Sequence, residues 1–512
     1  MKRAIKKAAA LLSAATMCGT TLLNFPENSF VLSAFSANSG VAINEDNFPD
    51  EFFRNRVMVF DTSRDNILSD EEIARVDEIT VCSPYAYDFS LPPINVTSLK
   101  GIEYFTSLTR LDCRHTTLTK LDVSNNSALI TLDCSSNQLT SLTLGSNSVL
   151  TNLYCGDNQL TNLDVSNNSA LAILYCGSNQ LTSLDVSNNT ALTDLYCNGN
   201  QLTNLDVSNN NALITLDCHN NRLNSLDVSN HSALAYLHCY DNQLTSLDAS
   251  YDSALASLSC YDNQLTSLDI SNDSALTSLF CEDNRLPSLD VSSNSALETL
   301  MCYTNRLTNL DVSNNSALTS LFCEDNRLSS LDVSNNSALT QLQCYGNHLT
   351  SIDLSNNNNL GEFECEQNTY EITVDEDSYD LSELPKGFDV SKASNWTNAT
   401  VNDNILTIID KSEPVTYDYD TGYTGDNTDY KKNTFTLNFK NTSALLGDVN
   451  GDGILNSVDA SAILTYYAVL MTEQTPTMKF DTSVADYNGD GIINAIDASA
   501  ILTYYANSMT SK

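Results

Sequence analysis

Two stretches near the C-terminus set oxygen-bearing side chains at one fixed spacing. Asp448, Asn450, Asp452, Asn456 and Asp459 fall on positions 1, 3, 5, 9 and 12 of a twelve-residue segment, and Asp486, Asn488, Asp490, Asn494 and Asp497 repeat the pattern 38 residues later. Gly453 and Gly491 stand at position 6, where the chain has to turn sharply. Ile454 and Ile492 stand at position 7, which contributes a backbone carbonyl. Such a set of neutral and anionic oxygens around a tight loop suits a hard cation that takes about six to eight oxygen ligands, which is Ca2+. Both position-12 residues are Asp, shorter by one methylene than the usual Glu.

Each loop runs into the same nine residues, Ala-Ser-Ala-Ile-Leu-Thr-Tyr-Tyr-Ala, at 460–468 and 498–506, so residues 441–512 are expected to hold two loop–helix units of one design. A weaker version of the pattern lies at Asp61, Ser63, Asp65, the Ile67 carbonyl, Ser69 and Glu72. It resembles an EF-hand loop, with Asn66 in place of the position-6 Gly. The flanking segments read as helices, so calcium binding and a plain helix pair that covers one end of the chain's repeats are both open readings for residues 37–93.

No catalytic constellation stands out. The five histidines, His115, His219, His231, His238 and His348, have neither triad nor metal-ligand spacing. Glycoside hydrolysis needs two carboxylates facing each other across a cleft, and no segment of catalytic-domain size lies outside the repeats. The net charge of −40 argues against nucleic acid or an anionic membrane as partner and favours divalent cations.

The body of the chain is periodic. Cysteine recurs every 21 residues from Cys113 to Cys365, thirteen times, inside a repeated sentence such as Leu318-Thr-Ser-Leu-Phe-Cys323-Glu-Asp-Asn326-Arg-Leu328-Ser-Ser-Leu-Asp-Val333-Ser-Asn-Asn336. A fixed period of this length marks a solenoid whose units bury their apolar faces only by stacking. Each half-repeat carries Leu-x-x-Leu-x-(Cys/Val)-x-x-Asn, which predicts two short strands per rung, two parallel sheets, and a rod of about 60 Å at roughly 4.8 Å per rung. The cysteines are read as reduced, buried small hydrophobes, because stacked in-register residues aim their Cβ atoms the same way and suit a disulfide torsion poorly. Asn at Cys+3, in twelve of thirteen rungs, is read as structural.

Residues on either side of each Cys face outward. They include Tyr154, Tyr175, Tyr196, Phe280 and Phe322 before it and Tyr240 and Tyr261 after it. This strip is either a ligand-binding surface or a cross-strand ladder serving stability. In the second half-repeat Asp recurs at the outward position in eleven rungs, from Asp122 to Asp353, and nearby Ser hydroxyls and turn amides are expected to offset the repulsion.

The pattern LxxLxCxxNxL followed by LxxLDVSNN resembles the bacterial leucine-rich repeats, which implies a mainly β, parallel solenoid over residues 94–369 with an N-terminal helical cap. Residues 370–440 lose the period and alternate in short runs, predicting a small antiparallel β domain over the far end, with Trp396 read as a packing residue. The paired calcium loops and duplicated helices resemble a dockerin, the module that docks cellulosomal proteins onto cohesins of a scaffoldin. That resemblance implies an α-helical, EF-hand-like module and carries cohesin contact over to Ser457, Val458, Leu464 and Thr465 and to Ala495, Ile496, Leu502 and Thr503. It further implies a non-catalytic cellulosome component that presents the repeats to protein or plant cell-wall polysaccharide, the alternative being a polysaccharide-degrading enzyme with an unrecognised site. The basic start Met1-Lys-Arg-Ala-Ile-Lys-Lys and the Ala-rich stretch after it read as a secretion signal over residues 1–36, and no later stretch is apolar enough to span a bilayer. An extracellular location follows.

Overall fold

The computed structural model describes residues 40–82, 93–229, 231–250, 253–374, 377–440, 446–450, 455–472, 482 and 484–510. The expected signal segment, Asp452 and Ile454 lie outside the described residues. Each rung places one three-residue strand in a single parallel sheet of fourteen, which runs from Glu78–Thr80 and Arg110–Asp112 through to Gln341–Gln343 and Glu362–Glu364. The register offset is the 21-residue period: Leu153 lies beside Leu174, and Leu174 beside Leu195. Alternation along the strand turns Leu153 and Cys155 inward and Tyr154 outward, and the inward pair is fully buried. Burying each such Leu is worth about 1.5–3 kcal/mol, repeated along the whole stack.

The second expected sheet is mostly absent. Among the described residues the second column forms ladders only at Lys120–Asp122 with Ser141–Thr143 and at Ser246–Asp248 with Ser267–Asp269. The outward Asp residues meanwhile fold onto their own turns. In all eleven rungs the Asp side chain accepts from the amide of the Ser two residues on, at 2.9–3.0 Å. Bonds from the Ser hydroxyl and amide hold carboxyls such as Asp185 and Asp311 below their usual range, so the turns offset the repulsion along the column.

Two Asn ladders tie the rungs together. At Cys+3, Asn200 donates to the carbonyls of Cys176 and Cys197 at 3.1 Å and accepts from Leu181 N at 2.9 Å, so its amide spans neighbouring rungs. At Val+3 a second buried ladder repeats the donor half of this pattern, as when Asn189 donates to Val165 O and Asn168 O. His231 takes one of its places, with its ring nitrogens 3.1 and 3.0 Å from the carbonyls of Val228 and Val207.

All thirteen ladder cysteines are buried free thiols. Burial pushes thiols such as Cys197 well above their ordinary pKa, so they present no reactive thiolate. Cys197→Ser is expected to destabilise by about 1–3 kcal/mol, since a buried hydroxyl replaces a small apolar group without gaining a partner. Urea unfolding checks the cost, and alkylation of the ladder thiols should require denaturation.

Both ends of the stack are covered. At the N-terminal end the helix Glu51–Val57 starts at Asp50, whose side chain accepts from Phe53 N, and it buries Phe53 beside Phe48. At the other end residues 370–440 form a four-stranded and a three-stranded sheet. Its pairings are antiparallel except one: Thr369–Thr373 lies parallel to Lys432–Lys440, because the chain leaves the last rung in the solenoid's own direction. Tyr417, Tyr423 and Tyr430 donate their hydroxyls to the carbonyls of Thr350, Leu360 and Gly361, which satisfies the final rungs. Trp396 stacks on Tyr417 at 4.4 Å, as a packing residue does. One continuous core runs from Ile43 to Leu437, and a separate small one, Val449 to Ile501, holds the C-terminal module.

Candidate calcium loops and binding face

The C-terminal module is two helices, Ser457–Leu470 and Ala495–Thr510, packed around Ile463 and Ile501. Position 9 of each loop doubles as the helix cap. Asn456 accepts from Val458 N and Asn494 from Ile496 N, both at 2.7 Å, while Asp459 and Asp497 in the first turn accept from the cap amides at 2.9 Å. In the second loop Asp486 accepts from the amides of Gly489, Asp490 and Gly491, and Asp490 from that of Ile492. These bonds bend the loop and turn its carboxylates onto backbone amides, and among the described residues no three acidic, His or Cys side chains converge on one point. Among the described residues of the first loop, Oδ1 of Asp459, in a fully buried side chain, has no hydrogen-bond partner, and a cation held by the loop's other oxygens would supply one. The donor set and this orphaned oxygen fit Ca2+.

The weaker N-terminal loop shares the scaffold. Asp61 accepts from the amides of Arg64, Asp65 and Asn66, matching positions 4, 5 and 6 of the second loop, and Asp65 from that of Ile67. Arg64 and Asn66 take the positive φ values of 60° and 63° that Gly489 and Gly491 take at 75° and 82°. Glu72 accepts from Ser69 and Ser63 amides as Asp497 does from Asn494 and Asn488, and the bonds from Ser69 and Thr62 hold its carboxyl down to about 2.

All eight positions matched to cohesin contact are exposed. Val458, Leu464, Ile496 and Leu502 leave 42–60% of their surface open, an unusual allotment for aliphatic side chains in so small a module. Leu470, Met471 and Tyr504 add to that apolar surface, which loop spacing alone did not single out.

On the sheet, Tyr154, Tyr175 and Tyr196 stand on adjacent strands, and the last two rings lie 5.3 Å apart at a 35° tilt. Tyr240 and Tyr261 stack closely, at 4.3 Å and 12°, and His219 extends that stack at 4.2 Å. Phe280 and Phe322 flank Met301 on neighbouring strands, all half-buried. Beside Tyr154 and Tyr175 lies a shallow depression whose floor is polar: Arg114 pairs with Asp112 at 2.7 Å and Asp133 at 3.3 Å. Sequence spacing did not point to Arg114, because its partners come from different rungs.

Residues 446–504 match the family described as the type I dockerin domain. The chain carries a dockerin. Type I dockerins are calcium-binding modules, and the domain implies docking to a cohesin of a cellulosome. Around the dockerin-bearing end, the rest of the chain is similar in structure to the functional domain of InlJ from Listeria monocytogenes, described as including a cysteine ladder, at 28% identity and a TM-score of 0.51, covering 79% of this chain and 99% of that one. It is also similar to the internalin InlF of the same species, at 25% identity and a TM-score of 0.54, covering 64% of this chain and 98% of that one. A leucine-rich-repeat protein of Leptospira interrogans shares the fold at 22% identity and a TM-score of 0.50, covering 60% of this chain and 91% of that one. No curated protein matches the sequence. Between its caps the dockerin-bearing chain is thus a leucine-rich-repeat solenoid with a cysteine ladder, and among the described residues no helix is long and apolar enough to cross a membrane.

Proposed function

We propose that this is a secreted, non-catalytic cellulosome component that docks through its dockerin onto a scaffoldin cohesin and presents the sheet face of its solenoid to a protein or plant cell-wall ligand. The dockerin match carries the reading, and the exposed Val458, Leu464, Ile496 and Leu502 supply an apolar contact surface for the cohesin. Asp448, Asn450, Asp452, Asn456, Asp459 and the Ile454 carbonyl hold one calcium ion, and Asp486, Asn488, Asp490, Asn494, Asp497 and the Ile492 carbonyl a second. Residues 61–72, built on the same amide scaffold, hold a third. A calcium titration of the full chain that saturates at two ions rather than three would remove the N-terminal site.

The ligand face is tested at Tyr154, Tyr175 and Tyr196. All three rings are half-buried, and those of Tyr154 and Tyr175 adjoin the Arg114 depression, which offers aromatic faces and polar groups side by side. A Y154A/Y175A/Y196A variant is expected to lose binding to cell-wall polymers or to ligands found on glycan and protein arrays, with its melting temperature within a few degrees of the parent. A markedly lower melting temperature with binding intact would make these rings a stability ladder.

A further inference from the structure

One residue past the ladder cysteine, consecutive rungs carry Tyr240, Tyr261, Glu282, Tyr303, Glu324 and Tyr345. Successive rungs lie about 4.8 Å apart, and the parallel stacking of Tyr240 on Tyr261 at 4.3 Å shows that side chains of this column lie flat against one another. Two carboxylates are thus layered between phenol rings. Glu282 and Glu324 are each only 5% exposed, Oε2 of each is buried without a hydrogen-bond partner, and neither belongs to any ion pair among the described residues.

An anion in that position is costly, since it has lost water and gained no cation, with a bond from its own residue's backbone amide as partial compensation. Its neighbours add to the cost: Asp283, Asp262 and Glu324 act on Glu282, and Asp325 and Glu364 on Glu324. Burial first, and these acids second, push both carboxyls up to about 7, and Tyr303 between them to about 12. The Asp–Ser column is settled by its own turns. This one is not.

We propose that the Glu282–Tyr303–Glu324 column receives Lys or Arg side chains of a partner protein segment docked on the sheet face. A cation there donates to the unpartnered oxygens and lies against the phenol rings, an arrangement that gains both charge pairing and cation–π attraction. The two carboxylates sit two rungs, about 10 Å, apart, which matches cationic residues three positions apart in a polyproline II segment, where every third side chain faces the same way at roughly 3.1 Å per residue. This rests on the reading of the sheet face as the ligand surface and names the chemistry of its partner.

The probe is a fluorescein-labelled (Lys-Gly-Gly)4 peptide, with (Ser-Gly-Gly)4 as its neutral counterpart, titrated with the full-length protein in calcium at about 0.15 M salt, where surface charges beyond roughly 8 Å are screened. E282Q/E324Q is expected to weaken binding at least tenfold. D311N/D332N removes the same charge from the Asp–Ser column and should leave binding unchanged. Cation binding favours the ionised carboxylates, so affinity should rise as pH increases from 6 to 8 and that rise should vanish in E282Q/E324Q. Equal losses in both double variants, a flat pH profile, or equal binding of the neutral peptide would overturn the proposal. Gln removes a buried charge without changing shape, so E282Q/E324Q should melt no lower than the parent at pH 8; a lower value would refute the account of these carboxylates as unpartnered. Ligand loss in the Tyr154, Tyr175 and Tyr196 variant with no lysine-peptide binding would defeat this proposal alone, and the converse result would defeat that tyrosine site alone.

Discussion

Chelation of calcium should abolish retention of the full-length protein on immobilised cohesin and remove hydrogen-exchange protection from residues 457–510. Among the described residues the dockerin core is eight buried side chains, Val449, Leu455, Ala460, Ile463, Val484, Ala485, Ala498 and Ile501, and five of these are small Ala or Val. Such a module buries too little apolar area to fold on packing alone. Residues 441–512 also carry eight acidic and two basic side chains, a net of 2 − 8 = −6, concentrated in the loops. Without a cation Asp459 keeps a buried oxygen unpartnered while the helix it caps has to form around it. Metal binding therefore contributes directly to folding free energy, which for structural metal sites reaches on the order of 10 kcal/mol. D486A/D490A removes the carboxylates that bend the second loop and should weaken cohesin binding by at least tenfold, as read by calorimetry. Cohesin affinity unchanged in excess chelator would show that the loops are closed by their amide bonds alone.

Asn200→Ala should be among the more damaging polar substitutions in the solenoid. The side chain donates to the carbonyls of Cys176, Cys197 and Asn198 and accepts from Leu181 N, all inside the stack. Ala leaves the buried Leu181 amide without a partner, at about 1–3 kcal/mol, and removes one of two side-chain bonds from the carbonyls of Cys176 and Cys197, which keep Asn179 and Asn221. A total loss of roughly 2–4 kcal/mol follows, at the upper end of the ordinary range for point substitutions. Asn209 gives the control. It is exposed and makes one long bond to Ser187 O at 3.4 Å, so Asn209→Ala should stay within about 0.5 kcal/mol. Urea unfolding of the two variants separates them, and a cost below about 1 kcal/mol for Asn200→Ala would mean that water or backbone rearrangement takes over the ladder's role.

Much of the architecture is legible in residue spacing because the repeat leaves little freedom. An exact 21-residue period forces equal residues into lateral contact, so the parallel register of Leu153, Leu174 and Leu195, the burial of every ladder Cys and the Asn bonds at Cys+3 follow from the sequence by itself. The same holds for the calcium loops. Positions 1, 5, 9 and 12 act within twelve residues, so Asp486, Asp490, Asn494 and Asp497 meet their loop amides without help from the rest of the chain. The Asp–Ser turns are local in the same sense.

The tertiary structure alone decides what depends on contacts between rungs. Both half-repeats have the strand pattern, yet among the described residues only the Cys half builds a continuous sheet, and the other half pairs at two places. The parallel pairing of Thr369–Thr373 with Lys432–Lys440 joins segments some sixty residues apart, and its direction is set by how the chain leaves the last rung. Glu282 and Glu324 look in the sequence like two more surface acids. Their burial without a partner arises from tyrosines one rung away on either side, and what neighbouring rungs bring to a side chain is settled only when the stack has formed.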